Sequence, residues 1–355
     1  MWSDVRAWLR GRARRLPGVA WRDAKIRELR SENRQLASAL SAAEKPVEPA
    51  QSDGPSFARY VYAERRINAH LGERNYPGRT NQIARKLKSY SFAQSHGVRI
   101  PELLGLWDTP EDIPWDELPD RLVLKSNTGA SSRGVFPLRR IDGRWFVVTR
   151  PEPIEPPDIV ERLTSLVATG RIDGPFFGQE LIGEGRDDNL PTEIRVFGFY
   201  GEVGIVNVRQ TTRLGDNAGT RTRRFLEDGR PGPRHRRHDD TIGLPDVFEA
   251  AVEVGRRLSM HVPRAFVRID LLDDGGDVVF GELTPRPGGP HYFGPEDDRR
   301  LGELWERALA RVLNDVIDGS DYSLKFGQGP RELVVGDRRF LPDQGWIAPS
   351  LGERE

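Results

Sequence analysis

The chain has 355 residues, with 54 basic and 54 acidic side chains and a formal net charge of zero. The length allows two or three subdomains, and the charge balance gives no general reason to bind nucleic acid. Cysteine is absent, which excludes disulfides, thiolate metal sites and thiol nucleophiles, while no apolar run approaches a membrane span or a signal-peptide core, so a soluble, cytoplasmic protein is expected.

Trp2, Val5, Trp8 and Leu9 stand at helical spacing beside Arg6, Arg10, Arg12, Arg14 and Arg15. Residues 2–22 thus read either as a basic amphipathic helix lying on an anionic inner-membrane surface or as a terminus that is solvated or packed on the protein's own body. Residues 26–40 follow a heptad, with Ile26, Asn33 and Leu40 at a and Leu29 and Leu36 at d, which predicts a short parallel coiled coil and a homodimer. Residues 44–56 have the composition of a linker.

From Phe57 the chain reads as globular. A helix is predicted over 80–96, capped by Thr80 or Asn81 and stopped at Gly97, with an extended segment after it. RLVLK (121–125) reads as a buried strand, SNTGASSRG as a small-residue loop, and VFPLRR as the returning strand. A helix over 158–170, a strand over 176–182, a hairpin over 193–208, a long polar, basic segment over 209–240 and a helix over 246–260 follow. The chain then reaches FVRIDLLDDGGDVVFGELTPRPGG (266–289), a strand, a tight turn and a second strand, and a last helix over 297–317. Hairpins interspersed with helices argue an α+β protein.

Strand alternation puts Arg268 and Asp270 on one face and predicts that Phe280 and Glu282 share a face. Two carboxylates beside an arginine suit a hard cation such as Mg²⁺ and equally suit an ordinary acidic hairpin. Of the 54 basic residues only six are lysines, at 25, 45, 86, 88, 125 and 325. In so arginine-biased a chain a lysine marks a place where a compact point charge is wanted. Lys125 faces a Gly/Ser/Thr/Ala loop through which backbone N–H groups can approach phosphate, although the order of a Walker A loop is missing.

Taken in order, KLKSYSFAQSHGVRIPE (86–102), LVLKSNTGASSRG (122–134), FFGQELI (176–182), EIRVFGFYGEV (193–203) and VRIDLLDDGGDVVFGELTPRPGG resemble the ATP-grasp superfamily over roughly residues 80–317. The GFYGEV and VRIDLL…GELTPRPGG segments are most similar to its TupA-like, teichuronopeptide-biosynthesis branch. The resemblance implies an ATP-grasp fold, two α+β subdomains sandwiching ATP, with a short N-terminal helical and coiled-coil extension. Its implied organisation is 1–43 extension, 44–56 linker, 57–120 reduced pre-ATP-grasp region, 121–178 small subdomain, 179–320 large subdomain with a basic lid loop, and 321–355 tail.

The resemblance further implies ATP and Mg²⁺ as cofactors. Lys86, Lys125 and the loop glycine Gly129 would contact phosphates, Gln179, Glu180 and Ile182 the adenine, and Glu193 the ribose. Asp270 and Glu282 would hold the metal, and Arg268 with Arg286 would stabilise the transferred phosphoryl group. Arg195 would either reach phosphate or substrate or only pair with Glu193. The sequence departs from the family pattern at Arg85, which leaves Lys88 as a rival to Lys86, at Gln179, and at Thr284, where many members carry a metal-binding Asn. The implied activity is carboxylate–amine ligation through an acyl-phosphate, with an acidic small molecule or polymer and an amine as substrates. The alternatives are a phosphotransferase on the same fold and a nucleotide-binding scaffold dimerised through its N-terminus. Arg221 to Arg237 reads as a mobile lid over an acidic substrate or as a solvated basic loop.

Overall fold

The structure, a computed structural model, describes residues 54–73, 83, 85–129, 132–183, 190–212, 219–287, 293–336, 338–342 and 345–347. All belong to one unit, Gln51–Glu355. The N-terminal basic helix and the heptads lie outside the described residues. No helix among the described residues is long and apolar enough to cross a membrane.

Two five-stranded antiparallel sheets organise the fold. The smaller consists of β1 (Leu103–Trp107), β2 (Arg121–Ser126), β3 (Val135–Ile141), β4 (Arg144–Val147) and β5 (Phe176–Gln179), in the order β1-β5-β2-β3-β4. β2 carries the apolar run Leu122, Val123 and Leu124, and helix α3 (Pro156–Ala168) turns Ile159 and Leu163 onto a core with Leu122, Leu124, Phe136, Leu138 and Trp145. β1, which falls in the region read from sequence as preceding the nucleotide-binding unit, is an edge strand of this sheet because it pairs with β5. The boundary expected at 120/121 is therefore not a structural one.

The larger sheet runs β10-β9-β6-β7-β8, from β6 (Glu193–Phe199), β7 (Glu202–Thr211), β8 (Thr220–Phe225), β9 (Val267–Asp273) and β10 (Val278–Thr284). The two faces follow from alternation. Ile194, Val196, Ile269 and Leu271 point to helix α4 (Phe248–Met260), which approaches so closely that a Cβ on Gly255 would lie 2.4 Å from Val196 Cγ1. The other face reads Glu193, Arg195, Phe197, Phe199 along β6 and Phe266, Arg268, Asp270 into β9, polar at one end and aromatic at the other. Helices α1 (Phe57–Glu73) and α5 (Pro295–Ile317) cover the aromatic end, where Phe57 meets Phe197, Phe199, Phe266, Phe293 and Trp305 edge-on or tilted. The polar end stays uncovered by them, and there the site forms.

Helix α2 (Lys86–Ser95) is shorter than expected and does not use Thr80 or Asn81 as its cap. Its first amides are satisfied from the small sheet instead: the Lys86 N–H donates to the Asn127 carbonyl at 2.9 Å and the Leu87 N–H to Asn127 Oδ1 at 3.1 Å. Residues 321–355, expected as a tail, contain β11 (Leu333–Val335), β12 (Arg338–Leu341) and β13 (Gly345–Ile347), a third antiparallel sheet. The segment before it straps α2, with Gln94 Nε2 donating to the Glu332 carbonyl at 2.9 Å and the Gly329 N–H to the Ser95 carbonyl at 2.8 Å.

Two sequence expectations fail for identifiable reasons. The basic stretch 221–237, expected as a mobile lid or a solvated loop, is in part the strand β8 and a return segment bridged to β8 at Thr222 and His238. Arginines hide the alternation there. Thr220, Thr222 and Arg224 are buried, while Arg221 pairs with Asp239 at 2.9 Å and Arg223 donates to the carbonyls of Asp240 and Ile242. Phe280 and Glu282 do not share a face. Phe280 pairs with Leu271 but Glu282 with Asp270, so Gly281 is an extra residue, a bulge that turns Glu282 to the site face.

A Cβ on Gly281 would lie 2.8 Å from the Asp270 carbonyl oxygen, a backbone atom that cannot rotate away. Gly281→Ala is expected to cost about 1–3 kcal/mol of stability in urea denaturation. Gly276→Ala, in the same hairpin with open space around it, should stay within about 0.5 kcal/mol of the parent.

Candidate active site

The polar end of the large sheet brings Arg195, Asp270 and Glu282 into one cross-strand row on β6, β9 and β10, with Arg268 and Thr284 in the next. Asp270 is 6% exposed and takes a two-pronged bond from Arg268, with Nε at 2.6 Å from Oδ1 and Nη2 on Oδ2. Burial works to raise the Asp270 carboxyl, but the charges of Arg268 and Arg195 and the bonds from Arg268 and Thr284 outweigh it and hold the group below the usual carboxylate range.

Thr284 Oγ1 accepts from Arg268 Nη2 at 3.1 Å and lies 3.3 Å from Asp270 Oδ2 and 3.4 Å from Glu282 Oε1. One hydroxyl proton serves only one of these carboxylates at a time. Two hard oxygen donors thus converge on a single point, which is the donor chemistry Mg²⁺ takes when substrate phosphates and water complete its shell. The pair is small: among the described residues no group of three or more His, Asp or Glu is arranged to hold a metal. Asp270 and Glu282 therefore fit a metal that arrives with other ligands and do not form a closed protein cage.

Arg195 donates to Glu193 Oε2 from Nε at 2.8 Å and stands 4.0 Å from Asp270 Oδ2. It pairs with Glu193, one of the two alternatives left open for it, and also faces Asp270. Arg209 Nη1 adds a second donor to Glu193 at 3.2 Å. Burial pushes the Glu193 carboxyl up, yet Arg195 and Arg209 bring it below its ordinary value.

Across the cleft stand two lysines. Lys86, 4% exposed, opens α2 and donates to the carbonyls of Thr128 at 3.3 Å and Gly129 at 3.5 Å. Lys86 thus lies against the small-residue loop, whose Gly129 takes φ +113°, a conformation open to glycine. Lys125, near the end of β2, donates to the Tyr90 hydroxyl at 3.0 Å. Burial pushes both ammonium groups down to about 8, while Glu282 pulls each the other way. The Glu282 carboxylate of β10 thus favours the charged form of a lysine on α2 and of a lysine on β2.

The remaining expected residues fall at its margins. Gln179 is buried and its Oε1 accepts from the Tyr90 hydroxyl at 2.5 Å, so that oxygen is engaged within the protein. Glu180 pairs with Arg99 at 3.2 Å and accepts from the Glu102 N–H at 3.2 Å, and Ile182 is buried. Burial lowers the pKa of Arg286, with the charges of Arg264, Glu64 and Arg65 also acting on it. Sequence reading missed Tyr90 and Asn127. Tyr90 could have been found, since it lies one helical turn beyond Lys86 and so on the same face; Asn127 carries no comparable signal.

Residues 167–306 match the family model described as TupA-like ATPgrasp. The matched stretch holds β5 to β10 and thus Asp270 and Glu282, and does not reach Lys86 or Lys125. No curated protein matches the chain. Among solved structures, D-alanine–D-alanine ligase from Bacillus anthracis is 17% identical with a TM-score of 0.42, over 66% of this chain and 70% of that one. The ATP-grasp ligase PsnB complexed with minimal precursor is 17% identical with a TM-score of 0.36, over 67% and 63%. A Chryseobacterium gregarium RiPP-associated ATP-grasp ligase, in complex with ADP and a leader and core peptide, is 14% identical with a TM-score of 0.37, over 71% and 70%.

With both lysines held near about 8, a polyphosphate ligand meets a doubly charged pair only below that pH. Calorimetric titration with ADP, whose charge is constant above about pH 7.5, is expected to show an affinity that falls about tenfold or more between about pH 7.5 and 9.5, as the lysine protons are lost. A flat profile through pH 9.5 would contradict the assignment of these two lysines.

Proposed function

We propose, on the premise that residues 167–306 are TupA-like ATP-grasp sequence, that the protein is an ATP- and Mg²⁺-dependent ligase joining a carboxylate to an amine through an acyl-phosphate. The observation that carries this reading is the cross-strand row of Arg195, Asp270 and Glu282 with Arg268 and Thr284 in the next, together with Lys86 seated on the small-residue loop and Lys125 near the end of β2. Transfer of a phosphoryl group to a carboxylate needs little covalent help from the protein; it needs cations fixed around the phosphates in a poorly hydrated site.

Each residue has a corresponding role. Lys86 and Lys125 neutralise ATP phosphate oxygens, and the loop carbonyls now bound to Lys86 give way to phosphate. Asp270 and Glu282, assisted by Thr284 Oγ1, would hold Mg²⁺, which supplies further neutralisation of the triphosphate when bound. Arg268 keeps Asp270 ionised and oriented and presents its remaining edge to the cleft, where charge builds on the transferred group. Arg195 links that row to Glu193, which stands at the ribose end. In the first step a carboxylate oxygen of the acid bonds to the γ-phosphorus as the bond to the β,γ-bridging oxygen breaks, releasing ADP. In the second the amine nitrogen bonds to the acyl carbon, phosphate leaves with the acyl C–O electron pair, and the amine's proton is lost to solvent.

An acidic substrate, small or polymeric, is supported by the basic β8 region. Arg224 is 3% exposed, and burial pushes its guanidinium down to about 10. Burial and the charges of Arg224, Arg237, Arg236 and Arg209 press His235 down to about 4. So strong a positive field beside the transfer site favours an anionic chain and disfavours a neutral one.

Hydroxylamine tests the reaction class. Incubation with ATP, Mg²⁺ and a panel of candidate acids should yield a hydroxamate together with ADP for at least one acid, and Lys125→Ala should lower the rate by at least ~100-fold. A stable phosphorylated product with no hydroxamate would replace the ligase reading by that of a phosphotransferase.

A further inference from the structure

Tyr90 has no place in the mechanism above, yet it touches Lys125, which the mechanism uses, and both sheets. It lies on α2, fully buried, one turn beyond Lys86. Its ring meets Phe177 of the small sheet and Phe280 of the large sheet edge-on, each at 6.0 Å between centroids. Its hydroxyl donates to Gln179 Oε1 at 2.5 Å and accepts from Lys125 Nζ at 3.0 Å.

The direction of these bonds matters. A phenol has one proton, and an amide oxygen can only accept. With the proton committed to Gln179, the face of the hydroxyl toward Lys125 is left as an acceptor, and only a donor fits against it. The acceptor is also neutral. A carboxylate in its place would hold the ammonium equally well but would cancel its charge and compete with phosphate. Gln179 and Tyr90 therefore orient Lys125 without discharging it.

We infer that Tyr90, backed by Gln179, is the positioning residue that aims the Lys125 ammonium at the polyphosphate and fixes it relative to Glu282 across the cleft. The inference rests on the proposed ATP-dependent reaction and assigns Gln179 to this relay and not to the base. Tyr90 has packing on both sheets that Phe would keep, so Tyr90→Phe removes the hydrogen bonds while leaving the ring in place.

Binding of tripolyphosphate and of the β,γ-imido analogue of ATP to the full chain, compared by calorimetry, tests this. Loss of a hydrogen bond to a charged group predicts that Tyr90→Phe raises both dissociation constants roughly tenfold. In a Lys125→Met background the same change should have less than about a twofold effect, because a purely structural role would act equally in both backgrounds. Gln179→Met, which frees the phenol proton to turn toward Lys125, should weaken both ligands, and should add nothing to Tyr90→Phe. Equal effects of Tyr90→Phe with and without Lys125, or a Gln179→Met effect confined to the nucleotide, would overturn the inference while leaving the ligase reading intact. Failure of the parent protein to bind either ligand would overturn both.

Discussion

A single extra residue in β10 decides the chemistry of the cleft. Were the β9–β10 ladder regular, Glu282 would stand opposite Ile269 and point into the α4 core; the bulge at Gly281 shifts the pairing by one and sets Glu282 opposite Asp270. Phe280, before the bulge, can then serve the core while Glu282, after it, serves the site. Every other charged group is arranged around that choice. Asp270 is buried and survives because Arg268 grips both its oxygens and Arg195 faces it. Lys86 is buried and Lys125 half-buried, and Glu282 offsets part of the desolvation that pushes both ammonium groups down to about 8.

The second constraint is how α2 is fastened. Its N-terminal amides are capped by Asn127 from the loop after β2, its middle residue Tyr90 holds Lys125 of β2, and its end is strapped by the segment before β11. A helix so tied carries Lys86 in fixed relation to the small-residue loop. Such preorganisation removes ordering cost from the moment of binding, and its price is the desolvation of two ammonium groups in the free protein. Binding of an anion between them returns part of that cost.

Much of this was legible in the sequence, and the reasons for the rest are physical. The six lysines in an arginine-biased chain pointed to Lys86 and Lys125, and the alternation of FVRIDLL placed Arg268 and Asp270 together, because point charges and strand period leave local marks. The bulge left only a glycine, indistinguishable from any other in a hairpin with three of them. β8 was obscured because its alternation runs between threonine and arginine, with Arg224 buried against Phe293 at 4.1 Å from the ring centre, and polarity patterns take arginine to be outside. The bond between Tyr90 and Gln179 left no local mark because the partners lie 89 residues apart.

The proposed reaction requires that the bulged hairpin be a metal site that serves a nucleotide. The most direct measurement is the affinity for ADP with and without Mg²⁺, on the parent protein and on Asp270→Asn. Mg²⁺ should tighten ADP binding by at least about tenfold in the parent, as expected when a cation bridges carboxylate and phosphate, and by less than about twofold in Asp270→Asn. Equal ADP affinity with and without Mg²⁺ in the parent protein would contradict it.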